Sequence, residues 1–220
     1  SNNQLVQISD VVGMIELKSR SAMQGSLAGQ LLIAMPDLKE GCFEHSVVLI
    51  CSHDESHAMG LIVNKQITDV SFATLLEQLE MEPTETKANP PVHFGGPVET
   101  KRGLILHDLS HRSDETVEVT GEIGLTATRQ MLEDLNAGHI GGEADGAPAL
   151  LCMGHAGWAP GQLEGELAQN AWLNVPASRE LVFASDPQRS WEKALSSVGV
   201  SKSMFSAAWS DIRNPDAPLN

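Results

Sequence analysis

The chain has 220 residues, and 29 acidic side chains against 14 basic ones give it a formal net charge of −15. A hydrophobic fraction of 41% argues against general disorder, and a chain of this length most simply folds as one domain. Because nucleic-acid affinity comes largely from Lys and Arg, this charge disfavours direct nucleic-acid binding, and the repulsion and the short apolar runs argue against a membrane.

The first 26 residues form an extension before the predicted domain, which spans residues 27–205 and leaves a C-terminal tail at 206–220. Leu5, Ile8 and Val12 fall at helical spacing within the extension, whereas Gly13 weakens that pattern. The extension is therefore either a short amphipathic helix that docks on its own domain or on a partner, or a disordered terminus.

Short apolar runs rich in Val, Ile and Leu predict buried strands in the first half of the domain. These strands are predicted at residues 31–35, 46–52, 60–64, 92–94 and 103–107, with a half-buried strand at 116–120. Residues 52–57 are predicted as a polar loop. Ser71 is a candidate N-cap for a helix that carries Phe72 and Leu76 on one face.

The second half of the domain mixes further strands with helices. Thr126 or Thr128 is a candidate N-cap for a second helix, and buried strands are predicted at 149–153 and 178–183. Pro160 is predicted at the first position of a third helix, and Asp186 at the start of a fourth. Three to four helices among short strands indicate an α+β or mixed α/β fold.

Common catalytic and phosphate-binding motifs are absent from the sequence, which disfavours an enzyme of a motif-bearing class. Cys51, His53 and His57 offer the thiolate and imidazole ligands that zinc takes, but Cys51 ends a buried strand, so we expect no metal and no cofactor. Cys152 lies in an apolar run that favours an inert core thiol over a nucleophile, and we assign no catalytic residue. Three cysteines, an odd number, fit a reducing cytoplasm.

A glycine-rich segment at residues 154–164 has two interpretations. It is predicted to leave a buried strand and enter a helix, where backbone N–H groups suit an anion, with Trp158 as a stacking face and Gln162 as donor and acceptor. Alternatively, it is a tight structural loop whose Trp158 fills the core.

Several short motifs follow one another in a fixed order from about residue 29 to residue 200. They are Leu31-Leu32-Ile33-Ala34-Met35-Pro36, Phe43-x-x-Ser46-Val47-Val48, Ile50-Cys51-x-His53, Ala58-Met59-Gly60-Leu61-x-Val63-Asn64-Lys65, Gly95-Gly96-Pro97-Val98, Arg102-Gly103-x-x-Leu106-His107, Ala156-Gly157-Trp158-x-Pro160-Gly161-Gln162-Leu163-Glu164-x-Glu166 and Asn170-x-Trp172-Leu173. This ordered set resembles the YqgE/AlgH family of bacterial proteins.

The resemblance implies a single α+β domain with a mixed, partly barrel-like β-sheet, and it supplies no catalytic residues. The family carries a transcriptional-regulator label that rests on a genetic association with exopolysaccharide control. The chain departs from the family pattern where Glu44-His45 replaces basic residues, His57 replaces Gly and His155 replaces Tyr. The first departure removes positive charge from a surface turn and further disfavours DNA binding.

These observations together predict a cytoplasmic, non-enzymatic binding or regulatory protein that influences transcription indirectly, through a protein partner or a small anionic ligand. An unrecognised hydrolase or metal-dependent enzyme and a direct DNA-binding regulator are the alternatives. In the predicted pocket Arg102 binds an anionic group, Gln162 and backbone amides orient it, and Trp158 covers it. The residues predicted to line this pocket are Asn64, Gly96, Arg102, His107, Gly157, Trp158 and Gln162.

Overall fold

The computed structural model of the chain describes residues 25–84, 89–141 and 147–199. Its strands are β1 (Gln30–Ala34), β2 (Val47–Asp54), β3 (His57–Ile62), β4 (Val92–Phe94), β5 (Val98–Asp108), β6 (Val117–Glu118), β7 (Ile123–Thr126), β8 (Ala149–Trp158) and β9 (Trp172–Pro176). Its α-helices are α1 (Phe72–Gln78), α2 (Arg129–Asn136), α3 (Gln162–Ala168), α4 (Arg179–Val182) and α5 (Pro187–Ser197). Short 3-10 turns lie at Gly41–Phe43 and Leu109–His111.

The strands form one mixed sheet. Eight of them follow the order β6-β7-β5-β8-β3-β2-β1-β9, and β4 joins β8 off this path. The pairings along the path are antiparallel, whereas β4 runs parallel to β8. The sheet curls into a half-barrel, so the predicted single-domain α+β fold with a mixed, partly barrel-like sheet is confirmed.

Both faces of the sheet are covered, which explains the continuous apolar strands. In β1, Leu31 packs into one hydrophobic cluster with Trp191 of α5, and its neighbour Leu32 packs into a second cluster with Trp158. Adjacent strand residues point to opposite faces, so such strands are apolar at every position when both faces are buried. A third cluster lies under α1 and α2 and includes Phe72, Leu76, Met131 and Leu135.

The turn between β4 and β5 lies directly against β8 and requires glycine. Gly96 has a φ of +153°, and a Cβ there would overlap the backbone of His155. Gly154 in β8 has a φ of +74°, and a Cβ there would meet the backbone oxygen of Gly96. These glycines therefore let two backbone segments approach more closely than side chains allow.

The predicted helix starts at Ser71 and Asp186 are confirmed, and of the two candidates for the second helix Thr128 is the N-cap, whereas Thr126 ends β7. The side chains of Ser71, Thr128 and Asp186 accept the backbone N–H three residues further on, from Thr74, Met131 and Arg189 respectively.

Four details of the prediction are wrong. Residues 178–183 form the one-turn helix α4 rather than a strand, with Ser178 as its cap. Helix α3 begins at Gln162 after Gly161, so Pro160 lies outside it. Residues 52–57 are a hairpin, and β8 continues to Trp158. Pairing with other strands extends β8, and the Ser178 cap starts α4, against the patterns of these two segments themselves.

The predicted N-terminal extension and C-terminal tail lie largely outside the residues that the structure describes. Residues 1–24 of the predicted extension and all of the predicted tail at 206–220 lie outside the described residues. None of the helices in the described part of the chain is both long and apolar enough to cross a bilayer.

Candidate functional site

The predicted pocket residues Trp158 and Gln162 meet at one carboxylate. Glu166 Oε2 accepts the indole N–H of Trp158 at 2.9 Å and that of Trp172 at 2.8 Å. Its Oε1 accepts the Gln162 amide at 2.9 Å, while the Gln162 oxygen accepts the N–H of Ala159 at 3.0 Å. The polar groups of both predicted residues are therefore engaged in hydrogen bonds within the chain, Trp158 in the core and Gln162 at the surface.

The aromatic side chains beside this carboxylate are core residues. Trp158 and Trp172 are 5% and 4% exposed, and their ring centroids lie 6.2 Å apart in an edge-on arrangement. Phe43 packs against both rings. This geometry supports the interpretation in which Trp158 fills the core, whereas Gly157 beside it is exposed on β8.

Two other predicted residues, Gly96 and Arg102, lie beside His155 where β5 bulges away from β8. Val98 pairs with His155 and Gly103 pairs with Met153, so residues 99–102 have only Gly154 opposite them. Such a bulge re-aims the side chains of the longer strand. Here it brings Arg102, Glu99 and His155 together.

Arg102 and His155 are both mostly buried and both face Glu99. Arg102 Nη1 lies 3.2 Å from Glu99 Oε2, and His155 Nδ1 lies 3.9 Å from the same oxygen. The side chains of Arg102 and His155 are 12% and 14% exposed, against 46% for Glu99. Glu99 is thus the solvent-facing member of a cluster of three polar side chains, which we call the Arg102 cluster.

Hydrogen bonding in the Arg102 cluster is incomplete. Within the described residues, Arg102 Nε and His155 Nδ1 are buried and have no hydrogen-bond partner. Burial lowers the pKa of His155, Glu99 opposes that shift and Arg102 adds to it. His155 is therefore neutral near pH 7, and Arg102 carries the positive charge of the cluster.

His107 lies in a separate, fully buried setting. Its Nδ1 donates to the carbonyl oxygen of Asp108 at 2.9 Å, and its Nε2 accepts from the Thr126 hydroxyl at 2.7 Å. Thr126 in turn lies 2.8 Å from the hydroxyl of Thr116. Burial lowers the pKa of His107, so this side chain is a neutral, hydrogen-bonded core residue.

Asn64 lies at another point again, at the edge of an open depression of about 400 Å³. Its side-chain oxygen accepts the N–H of Val47 at 2.8 Å, and its amide donates to the carbonyl of His45 at 2.9 Å. Asn64 therefore ties two chain segments together. The depression is lined by Gly41, Glu44, His45, Asn64, Lys65, Pro187 and Gln188.

The seven predicted residues thus fall into separate neighbourhoods. Gly96 and Arg102 share His155, and Trp158 and Gln162 share Glu166, whereas His107 and Asn64 have other partners. The sequence reasoning missed Glu99 and assigned His155 no role in this pocket. Gly96 and Arg102 had pointed to this region, and the replacement of the family's Tyr by His155 was a further signal there.

The residues weighed for zinc and for nucleophilic chemistry are also engaged or buried. His53 Nδ1 accepts the N–H of Leu27 at 2.9 Å, and its Nε2 lies 2.7 Å from the Glu164 carboxylate. Burial raises the pKa of the Cys51 and Cys152 thiols, so both are core thiols as predicted for Cys152. In the described part of the chain no group of three His, Cys, Asp or Glu side chains is placed to hold a metal ion.

The sequence matches a known protein family over most of its length. The family model described as AlgH-like (DUF179) matches residues 31–203. The chain belongs to the AlgH-like family. A UPF0301 protein of Paracoccus denitrificans is 39% identical to this AlgH-like chain over 184 residues, which are 82% of this chain and 94% of that protein. One from Cereibacter sphaeroides is 43% identical over 175 residues, which are 79% and 92% of the two chains.

Solved structures show the same AlgH-like fold. The solution structure of AlgH from Pseudomonas aeruginosa matches with a TM-score of 0.67 at 33% sequence identity, over 85% of this chain and 96% of that one. A crystal structure of a protein from Corynebacterium diphtheriae matches with a TM-score of 0.60 at 21% identity, over 81% and 91% of the two chains. The second likeness concerns the fold alone. The family resemblance inferred from the ordered motifs is confirmed.

Proposed function

We propose that this AlgH-like protein is a cytoplasmic, non-enzymatic binding protein that takes a small anionic ligand at Arg102. In this proposal binding alters the interaction with a protein partner, so any effect on transcription is indirect. The observation that carries the proposal is the incomplete hydrogen bonding of the mostly buried Arg102 guanidinium.

The charge balance at Arg102 supports an anionic ligand. A guanidinium removed from water needs both a counter-charge and acceptors for its N–H groups. The half-exposed carboxylate of Glu99 supplies the counter-charge and meets Nη1, while Nε stays without an acceptor. An oxyanion bound at this point would give Nε the acceptor that it lacks. The guanidinium of Arg presents a planar fork of N–H groups that suits such anions.

A non-enzymatic role is supported by the settings of the reactive side chains. The pKa of the Cys152 thiol is raised by burial, which suppresses the thiolate that a nucleophile requires. Both ring nitrogens of His107 are engaged in hydrogen bonds, so this imidazole is not poised to transfer a proton to a ligand.

An indirect influence on transcription is consistent with the charge of the whole chain. At −15 the protein repels a nucleic-acid duplex, and attraction to phosphates is what gives sequence-independent DNA affinity. A partner protein that itself contacts DNA avoids this repulsion.

Titration of the full chain with inorganic phosphate, followed by amide NMR at low ionic strength, tests the proposal. We expect saturable shifts of residues 99–103 and His155, and their loss in Arg102→Met, which keeps the length of the side chain without its charge. Retained folding of the variant is checked by circular dichroism. The absence of saturable shifts at millimolar phosphate, or identical shifts in Arg102→Met, would contradict a ligand site at Arg102.

A further inference from the structure

The backbone of Glu99 is strained, although this residue lies within a strand. Its φ is +49°, in the left-handed region that residues with a Cβ rarely adopt. Such a conformation persists where surrounding interactions impose it, and it is concentrated at ligand clamps and switch regions. Its carboxylate contacts Arg102 and His155. The strained residue is therefore the one that carries the negative charge of the Arg102 cluster.

The Glu99 carboxylate satisfies the cluster only in part. Its Oε2 is 3.2 Å from Arg102 Nη1, beyond the 2.7–2.9 Å typical of a strong charge-assisted hydrogen bond, and 3.9 Å from His155 Nδ1. Arg102 Nε is unpartnered. Arg102 Nη1 and His155 Nδ1 thus face one carboxylate oxygen, which meets only the guanidinium and meets it loosely, while Arg102 Nε has no acceptor.

A phosphate group matches this arrangement better than a carboxylate does. Its tetrahedral oxygens can accept from the Arg102 and His155 side chains at once, whereas the Glu99 carboxylate offers two oxygens on a side chain fixed to the bulge. Neutral His155 supplies Nδ1–H in one of its two tautomers, so it donates without taking up a proton.

We propose, on the premise that Arg102 is an anion site, that Glu99 occupies this site as an internal ligand and that the phosphate group of a small molecule binds by displacing it. In the free protein the Glu99 carboxylate holds the bulge at residues 99–102 against β8. In the bound protein the phosphate meets Arg102 and His155, and Glu99 moves into solvent. The site is thus closed by the chain's own carboxylate until a phosphorylated ligand replaces it.

The ion pair between Glu99 and Arg102 is weak enough for a phosphate ligand to displace the Glu99 carboxylate. An ion pair with an exposed member contributes little free energy. Its loss therefore changes the affinity for phosphate by at most about fivefold. A doubly charged phosphate also attracts Arg102 more strongly than a single carboxylate does at the same distance.

The experiment compares phosphate binding by the wild type and by Glu99→Gln, using calorimetry and amide NMR on the full chain. Glu99→Gln keeps the size of the side chain and removes the competing charge. We expect phosphate to bind about three- to fivefold more tightly to Glu99→Gln than to the wild type. Acetate, titrated in parallel, is expected to bind both proteins more weakly than phosphate does.

Glu133→Gln is the matched control. Glu133 pairs with Arg129 at 3.3 Å on α2, and its side chain is 46% exposed, the same fraction as that of Glu99. This variant removes the same charge from an acidic protein at an ion pair that shares no residue with the Arg102 cluster. Its phosphate affinity is therefore expected to equal that of the wild type.

Each outcome decides between the two proposals. Equal phosphate affinity in the wild type and Glu99→Gln, with loss in Arg102→Met, overturns the internal-ligand role and leaves the anion site standing. Equal tightening in Glu99→Gln and Glu133→Gln shows a general charge effect and also overturns it. If neither the wild type nor any variant binds phosphate, both the anion site at Arg102 and the internal-ligand role of Glu99 are rejected. If acetate binds more tightly than phosphate, the assignment of a phosphate ligand is rejected. Arg102→Lys, which keeps the charge, serves where Arg102→Met does not fold.

Discussion

Glu166 is the residue whose side chain holds the most polar partners at the predicted pocket. One carboxylate accepts from Trp158, Trp172 and Gln162 and thereby joins β8, α3 and β9. Hydrogen bonds to a charged acceptor are stronger than neutral ones, and both indoles are almost fully buried. The carboxylate therefore replaces water for two indole N–H groups that have been removed from solvent.

Replacement of Glu166 by Ala should destabilise the fold markedly. We expect the free energy of unfolding to fall by about 2–4 kcal/mol, because two buried indole N–H groups lose their acceptor. Urea denaturation followed by tryptophan fluorescence measures this change. Glu77→Ala, at an exposed position of α1, is the control and should stay within about 0.5 kcal/mol of the wild type. A fall in the free energy of unfolding as small as that expected for Glu77→Ala would contradict this role of Glu166.

At the scale of elements, the contact between the β4–β5 turn and β8 depends on close backbone approach. This contact sets the position of the β5 bulge and hence of the Arg102 cluster. A side chain at Gly96 would meet backbone rather than a flexible neighbour, and backbone cannot move aside.

Gly96→Ala should therefore prevent stable folding, or lower the melting temperature by more than about 10 °C. Gly165→Ala provides a contrast within α3, since a Cβ there meets no atom within 4 Å. Alanine favours a helix over glycine, so this variant should gain up to about 1 kcal/mol. Thermal melting by circular dichroism checks both expectations, and an undisturbed Gly96→Ala would disprove the tight contact.

Three helix N-caps were predicted from the sequence, whereas the pairing of distant strands was not. Ser71, Thr128 and Asp186 were correct because a cap acts within three residues of itself. The end of β8 was missed because Gly154 and Gly157 are typical of a turn, and only pairing with β3 and β5 keeps that segment extended. Arg102 was singled out, but its partner Glu99 depends on the register of a bulge, which no local pattern specifies.

At the scale of the whole molecule, acid should destabilise the fold through buried histidines. Burial lowers the pKa of His93, His107 and His155 below their ordinary value. The unfolded chain therefore binds protons at these residues from about pH 6.5 downward, while the folded chain binds them only at lower pH. The stability they contribute is complete above about pH 6.5 and is lost as the pH falls through the lowered values.

Urea denaturation at about pH 7.5 and about pH 5.5 measures this dependence. We expect the free energy of unfolding to be lower at the acidic pH, and His93→Gln to reduce the difference between the two values. His139→Gln, at a side chain that is 66% exposed, should leave the difference unchanged. An identical pH dependence in the wild type and His93→Gln would remove His93 from this account.

The position of β8 has a consequence for the order in which the chain assembles. β3 and β5 both pair with β8 and occupy its two sides in the sheet, so neither half of the sheet is joined to the other before β8 arrives. During synthesis the ribosome must deliver residues 149–158 before strands made much earlier find their neighbour. Non-local pairing of this kind slows folding. A nascent chain that stops short of residue 149 would expose the edges of β3 and β5 that β8 covers in the folded protein. Exposed strand edges favour aggregation and chaperone binding.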